Sequence, residues 1–198
     1  MLMISVVVPS WCEPREYLLM CLRSLNSQSL DRRSYEIILV DGCLNPDQEV
    51  YSLADKVLYA PRGKLHARHL GIVNARGDII VSCDADTIYP YNYIEKITEP
   101  FKDPDVVAVA GTTSWDLFWD VLAYPVKIAH YGSRLSGRAS AFRKWAYFAV
   151  GGFDLTVNQS NWKQLELEEE IRFYRKLKQL GKVVVVDTNV KHLAWGRH

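Results

Sequence analysis

The stretch "ISVVVPSWCEPREYLLMCLRSLNSQSLDRRSYEIILVDG", Ile4 to Gly42, decides the fold. It begins and ends in short apolar runs, Ile4 to Val8 and Glu36 to Val40. Between them Leu18, Leu19, Leu22 and Leu25 recur at spacings of three and four, which predicts a helix over Arg15 to Ser27. Strands that are apolar throughout, with no polar alternation, are covered on both faces, as parallel strands joined by crossover helices are. The pattern then repeats. A short helix is expected over Asp47 to Ala54 and a short strand over Val57 to Tyr59. A helix over His66 to Asn74, stopped near Gly77, leads to a third main strand, Asp78 to Cys83. A helix over Tyr91 to Phe101 and a strand over Val106 to Ala110 follow. The expected class is α/β, Rossmann-like, with a mostly parallel central sheet covered by helices.

The second half is less regular. "WDLFWDVLAYPVKIAHY", Trp115 to Tyr131, is rich in aromatics and interrupted by Pro125; it reads as core-packing helix or as a sticky surface. Leu165 to Leu180 is a helix stopped by Gly181, and Lys182 to Val186 is a strand. With 198 residues, 48% of them hydrophobic, one domain is expected over 1–198. Lys and Arg total 24 against 23 for Asp and Glu, so no charge excess favours nucleic acid. No run is long and apolar enough to span a bilayer, and "MLMISVVVPS" has no basic signal-peptide start, so a cytoplasmic location is expected. Cys12, Cys21, Cys43 and Cys83 form no Cys-x-x-Cys pair, which argues against a zinc ribbon or redox motif. Reduced thiols are the expectation, with disulfides reserved for a hyperthermophilic source.

Ligands of such sheets bind beyond the carboxyl ends of the strands. Pro9 to Glu13, Asp41-Gly42 and Asp84-Ala85-Asp86 all fall at such ends, so three polar segments converge on one rim. In an extended chain Asp84 and Asp86 share a face. They read either as turn aspartates capping the next helix or as carboxylates for a divalent cation. No Gly-x-Gly-x-x-Gly or Gly-Lys-Ser/Thr follows the first strand, which weighs against a dehydrogenase or an NTPase.

Five segments, taken in order, resemble the GT-A glycosyltransferases of the family-2 type. "SVVVPSWCE" and "EIILVDG" are similar to that family's first two strand ends. "GKLHARHLGIVNARGDIIVSCDAD" resembles its Ala-Arg segment leading to Asp-x-Asp. "GRASAFRKWAYFAVGGFD" and "LEEEIRFYRKLKQLGKVVVV" resemble its Phe-Arg-Arg, Gly-Gly-Phe-Asp and Glu-Asp helix segments. The likeness runs from about Ile4 to His192, and the short length suggests a minimal member, such as one from a hyperthermophilic archaeal virus.

The resemblance implies a GT-A fold. About 1–112 would bind the nucleotide sugar, and 113–198 would form a less regular acceptor and catalytic half. Pro9, Glu13 and Asp41 would hold the nucleoside, although Glu13 also reads as helix N-terminal charge and Asp41 as a turn residue. Lys64 and Arg68 would lie near the diphosphate, with His69 where the family carries Asn. Asp84, Asp86 and His192 would serve a Mn2+ or Mg2+ ion. Gly151, Gly152 and Asp154 would face the acceptor. Trp162 and Trp115 would pack, or stack on a sugar, and Arg62 would be a solvated neighbour of Lys64. Counting back from Gly181, Glu170 occupies the family's base position. The helical wheel makes the same choice: Leu167, Ile171, Phe173, Tyr174 and Leu177 define an apolar face. Glu170 falls in its middle, Glu169 near its edge and Glu168 opposite. The implied activity is metal-dependent transfer from a UDP- or GDP-sugar to a hydroxyl of a glycan, protein or lipid, with Glu170 as an inverting base. A retaining enzyme and a non-catalytic nucleotide- or glycan-binding protein are the alternatives.

Overall fold

Val6, Val7 and Val8 are all completely buried, which requires cover on both sides of their strand. In the computed structural model, β1 (Ile4–Ser10) lies between β2 (Tyr35–Asp41) and β4 (Ile79–Cys83), parallel to both. β3 (Lys56–Tyr59) extends the sheet in parallel beyond β2. Described are residues 2–43, 47–60, 63–114, 124–132, 134–156 and 162–193, the side chains of Lys127 and 162–166 excepted. Trp115, Arg62 and the side chain of Trp162 are therefore outside the description.

The two faces of β1 divide as the pleat requires. Val6 and Val8 pack with Leu18, Leu19, Leu22 and Leu25 of α1 (Arg15–Asn26). Val7 packs the other way, with Ile38, Val40 and the Ala67 and Ile72 side chains of α3 (Lys64–Asn74). Between these helices in the chain comes α2 (Gln48–Tyr51), with Asp47 capping it at the Val50 N–H.

The rest of the sheet adds antiparallel pairs to the mostly parallel order expected. The strands run β3-β2-β1-β4-β7-β6-β8-β5. β7 (Ala139–Arg143) is antiparallel to both β4 and β6 (Val106–Thr113). β8 (Lys182–His192) runs parallel to β6, and its end pairs antiparallel with the two-residue β5 (Thr87–Ile88). "ASAFR" was not predicted as a strand because Ala139, Ser140 and Ala141 carry little β signal; its place is set by pairing with β4 and β6. β8 outlasts the predicted Val186 because its polar residues find partners on β6. Asp187 accepts from the Thr112 hydroxyl, and Thr188 donates to the Thr112 carbonyl. A register irregularity there, with Asn189 at φ 49°, bends the strand and carries His192 to β5.

The helices α4 (Tyr93–Thr98), α5 (Tyr124–Tyr131), α6 (Lys144–Ala149) and α7 (Trp162–Lys178) complete the cover. The helix expected to Phe101 tightens after Thr98 into a 3-10 turn containing Pro100, which has no N–H to continue the ladder. Gly77 does not stop α3. The helix ends at Asn74, and a Cβ on Gly77 would lie 2.7 Å from the Ser5 nitrogen, so glycine is needed for close approach to β1.

One charged residue stands inside this frame. Glu36 on β2 is 2% exposed and accepts from the Ser5 hydroxyl (2.6 Å), the Arg76 N–H (2.6 Å) and Arg76 Nε (2.9 Å). Burial alone would push its carboxyl up, but these hydrogen bonds outweigh it and hold it below the ordinary 4.5. A carboxylate lowered on folding stabilises above its unfolded pKa and loses that contribution as pH falls through the folded value. Glu36→Gln is therefore expected to cost ~1–3 kcal/mol at neutral pH. The deficit should shrink as pH drops below 4.5, where the wild-type carboxylate itself protonates. Urea unfolding of both proteins at neutral and acidic pH checks this.

Candidate active site

The rim at the carboxyl ends of β1, β2 and β4 carries the polar segments the sequence places there. Asp84 follows β4 directly and is 5% exposed. A lone buried carboxylate would be costly, and here α3 supplies its partners. Lys64 and Arg68, one helical turn apart, donate to the two Asp84 oxygens at 2.9 and 2.8 Å. Arg138, just before β7, lies 3.8 Å away. Burial raises the Asp84 carboxyl, and the charges of Lys64, Arg68 and Arg138 more than reverse this, holding it well below the carboxylate range. Arg68 is itself 1% exposed. The Tyr89 hydroxyl accepts from the Asp84 N–H at 2.7 Å and sits 3.0 Å from the Arg138 carbonyl, fixing both segments.

Asp86 faces a different partner. Thr87 of β5 pairs with His192 of β8, and His192 Nε2 lies 2.9 Å from Asp86 Oδ2. Burial raises the Asp86 carboxyl, but the His192 hydrogen bond holds it below its ordinary value. Glu13 belongs to the same neighbourhood. Its carboxyl is pushed up, first by burial and then by the negative charge of Asp86. Among the described residues no group of three or more His, Cys, Asp or Glu side chains is arranged to hold a metal ion.

Beyond Glu13 lies a cavity of about 160 Å³ between the loops after β1 and β2, lined by Glu13, Asp41, Asp47 and Tyr51 among others. Asp41 is 4% exposed and accepts from the Tyr51 hydroxyl (2.9 Å) and the Cys43 N–H (3.2 Å). Burial, and then the hydrogen bond to Asp41 and its charge, push the Tyr51 phenol up to about 12. Pro9 is buried within β1 opposite Val40, past the last residue of β1 that pairs with β4, so its missing N–H breaks no bond on that side. The reduced-thiol expectation is overturned here. Cys12 and Cys43 form a disulfide with Cα atoms 5.0 Å apart, while Cys21 and Cys83 are free and buried.

Helix α7 corrects the helical wheel. Glu169, not Glu170, is the fully buried carboxylate, at 1% exposure. Phe173 and Leu177 are buried below it, whereas Leu167 is 38% exposed. Counting Leu167 as core turned the predicted face by about one residue. Glu169 accepts from the Asp154 N–H (2.9 Å) and pairs with Arg172 (3.2 Å). Glu170, half-buried, accepts from the Gly137 N–H at 2.7 Å. Arg143 and Lys144 donate to backbone carbonyls, Val106 and Ala75 respectively. Gly137 in turn presses on Arg68: a Cβ there would lie 2.2 Å from the guanidinium. Glu170 and the Arg68–Asp84 pair thus meet at one residue.

A model of Glycosyl transferase family 2 matches residues 5–195. The chain belongs to that family. It is 30% identical over 117 residues to an N-acetylglucosaminyltransferase of Bradyrhizobium elkanii, covering 54% of this chain and 64% of that protein. Its likeness to an N-acetylglucosaminyltransferase of Rhizobium meliloti is 27% over 117 residues, 54% of this chain and 28% of the relative. The chain thus spans under two thirds of either relative. In fold it is similar to a mannosyltransferase of Pyrobaculum calidifontis solved with GDP-Man and Mn2+, with TM-score 0.75 and 18% identity over 98% of this chain and 57% of that one. GalNAc-T7 solved with UDP, GalNAc and Mn2+ gives 0.71 and 19%, over 96% of this chain and 44% of that one. These likenesses establish the GT-A architecture for this family-2 chain. They lend no support to an archaeal virus as its source.

Several expected family positions converge and others do not. Arg68 and Glu170 meet at Gly137, Arg68 and Lys64 meet at Asp84, and Glu13 links Asp86 and His192 to the Asp41 cavity. Asp84 is engaged by the cations Lys64 and Arg68. His69 turns away to the Tyr147 hydroxyl, 2.9 Å from Nδ1. Gly151 and Gly152 take φ of 80° and 66°, a turn that glycine alone makes easily. Asp154 closes that turn on Thr156 and pairs with Arg172. Arg138, Tyr89 and Gly137 were missed, although Gly137 and Arg138 open the quoted "GRASAFR" segment.

The two aspartates are expected to separate in stability. Asp84→Asn removes the buried anion to which both Lys64 and Arg68 donate and should cost ~3–5 kcal/mol. Asp86→Asn removes one partner of a part-exposed pair and should cost far less. Thermal melts of the two variants at neutral pH measure the difference.

Proposed function

We propose that the chain transfers a hexosyl group from a UDP- or GDP-sugar to an acceptor hydroxyl, with inversion and with Glu170 as base. The observation that carries this reading is the junction at Gly137, which seats the Glu170 carboxylate beside the Arg68–Asp84 pair. A proton acceptor and the positive charge suited to a diphosphate are thereby held at one point. Residues 1–112 would bind the donor and 113–198 the acceptor, with the Gly151–Gly152 turn and Asp154 on the acceptor side. Asp41 is acceptor-only when ionised, and both uracil and guanine offer an N–H to such a group.

In the reaction the acceptor hydroxyl gives its proton to Glu170 as its oxygen bonds to the anomeric carbon. The bond from that carbon to the diphosphate breaks, and its electron pair leaves on the diphosphate oxygen. Lys64 and Arg68 oppose the charge that develops there. A divalent cation, Mn2+ or Mg2+, would be held by Asp86 and His192, a carboxylate and an imidazole that meet at 2.9 Å with Glu13 close to Asp86. Such ions are commonly held by one or two carboxylates, with phosphate oxygens completing the shell. When bound, the cation would neutralise charge on the leaving diphosphate.

Glu170→Gln should keep nucleotide binding and lower transfer by roughly 10²–10⁴-fold. Glu168→Gln, on the exposed side, should transfer normally. Glu169→Gln should lower the melting temperature, because its carboxylate anchors the Asp154 turn. Normal turnover by Glu170→Gln, measured as released UDP or GDP over a panel of sugar nucleotides, would refute the base. The anomeric configuration of the product separates inversion from retention.

Metal dependence has its own test. EDTA should abolish transfer and Mn2+ restore it, and Asp86→Ala should lose Mn2+-dependent nucleotide affinity in calorimetry. Undiminished affinity in Asp86→Ala would remove the cation from that site.

A further inference from the structure

We propose that the Cys12–Cys43 disulfide is a positioning device for the donor's nucleoside, clasping the two strand-end loops that form its cavity. This rests on reading the Asp41 cavity as the nucleoside site. The bridge follows from strand register. β1 and β2 pair with a constant offset, Ile4 opposite Tyr35 and Ser10 opposite Asp41. Continued two residues further, that register sets Cys12 opposite Cys43, and the bridge spans the same 31 residues. Backbone pairing ends just before it, at the hydrogen bond from the Gly42 N–H to the Ser10 carbonyl (2.9 Å). The disulfide thus takes over where the ladder stops.

Both cysteines adjoin the groups that would meet the nucleoside. Cys12 precedes Glu13, and Cys43 donates its N–H to Asp41 at 3.2 Å. Both line the cavity with Glu13, Asp41 and Tyr51. Cys12 sits at φ 50°, a left-handed conformation uncommon outside glycine. Between the bridge and β2, Gly42 is pressed beneath the Trp11 ring, where a Cβ would lie 2.2 Å from the nearest ring atom. Trp11–Cys12 and Gly42–Cys43 therefore fit together in one close arrangement, and the covalent link keeps them in it. Without the link, ordering them would fall to the binding event and weaken affinity. The Arg68–Asp84 region belongs to other elements, α3 and the end of β4, and has no part in the clasp.

Calorimetry in Mn2+ compares the untreated protein, the protein treated with tris(2-carboxyethyl)phosphine, and the Cys12→Ser/Cys43→Ser variant. The phosphine supplies two electrons to the S–S bond and becomes the phosphine oxide with oxygen from water, whose two protons yield two thiols. Titrating UDP, GDP and pyrophosphate, we expect nucleotide affinity to fall about 5- to 30-fold on opening the bridge, the equivalent of reordering one backbone residue. Pyrophosphate affinity should not change, a split that general loosening of the fold would not produce. Circular dichroism of the phosphine-treated wild type verifies folding if the serine variant fails to fold. Four free thiols in the denatured, untreated protein would overturn the proposal. So would equal nucleotide affinity in both redox states while Asp41→Ala binds more weakly. Equal affinity in both states with Asp41→Ala also unaffected would overturn the nucleoside reading beneath it, and the proposal with it.

Discussion

The buried pair of Arg68 and Asp84 is the constraint on which the site depends. Neither charge is stable alone at that depth, and each side chain is held by an element the other does not belong to. Arg68 comes from a crossover helix and Asp84 from the end of a central strand. Satisfying the pair therefore sets the helix against the sheet edge. It also dictates Gly137, because any side chain there would occupy the space of the guanidinium. Gly137 then spends its N–H on Glu170, so the position of the proposed base is a consequence of how a buried cation is packed.

The two aspartates of "DAD" divide the labour because the chain turns between them. Asp84 remains in the dry interior beside β4, among cations. Asp86 has moved out to β5, where the long, bent β8 delivers His192. A motif that looks like one symmetrical anionic pair thus serves two electrostatic settings. The first stores positive charge near the proposed diphosphate position. The second sets Asp86 against His192, close to the partly buried Glu13.

Helix α7 shows how narrow the margin is between a carboxylate that builds and one that reacts. Glu169 and Glu170 differ by about 100° on the helix. The first is sealed under the Gly151–Gly152 turn, where it satisfies the Asp154 N–H and Arg172. The second points to the rim. Complete burial is a poor guide to a base, since a reacting carboxylate must keep a side open to its substrate. The helical wheel gave Glu170 the burial that belongs to Glu169.

Local pattern was sufficient for the first half of the fold. Unbroken apolar strands and leucines at helical spacing are direct consequences of two-sided burial, and they place Glu13, Asp41 and Asp84 at strand ends whatever the rest of the chain does. Motif order was sufficient for the family and for the segment that carries the proposed base. What the tertiary structure alone decided was partnership. The antiparallel β7 is short and opens on Ala139, Ser140 and Ala141, so its place beside β4 comes from pairing on both sides and not from its own propensity. The bend in β8 depends on Thr112, 75 residues from Asp187. The Cys12–Cys43 bridge depends on the register of two parallel strands, which neither strand encodes by itself. Periodicity reports which side of an element is buried; which distant residue lies against it is set by packing of the whole sheet.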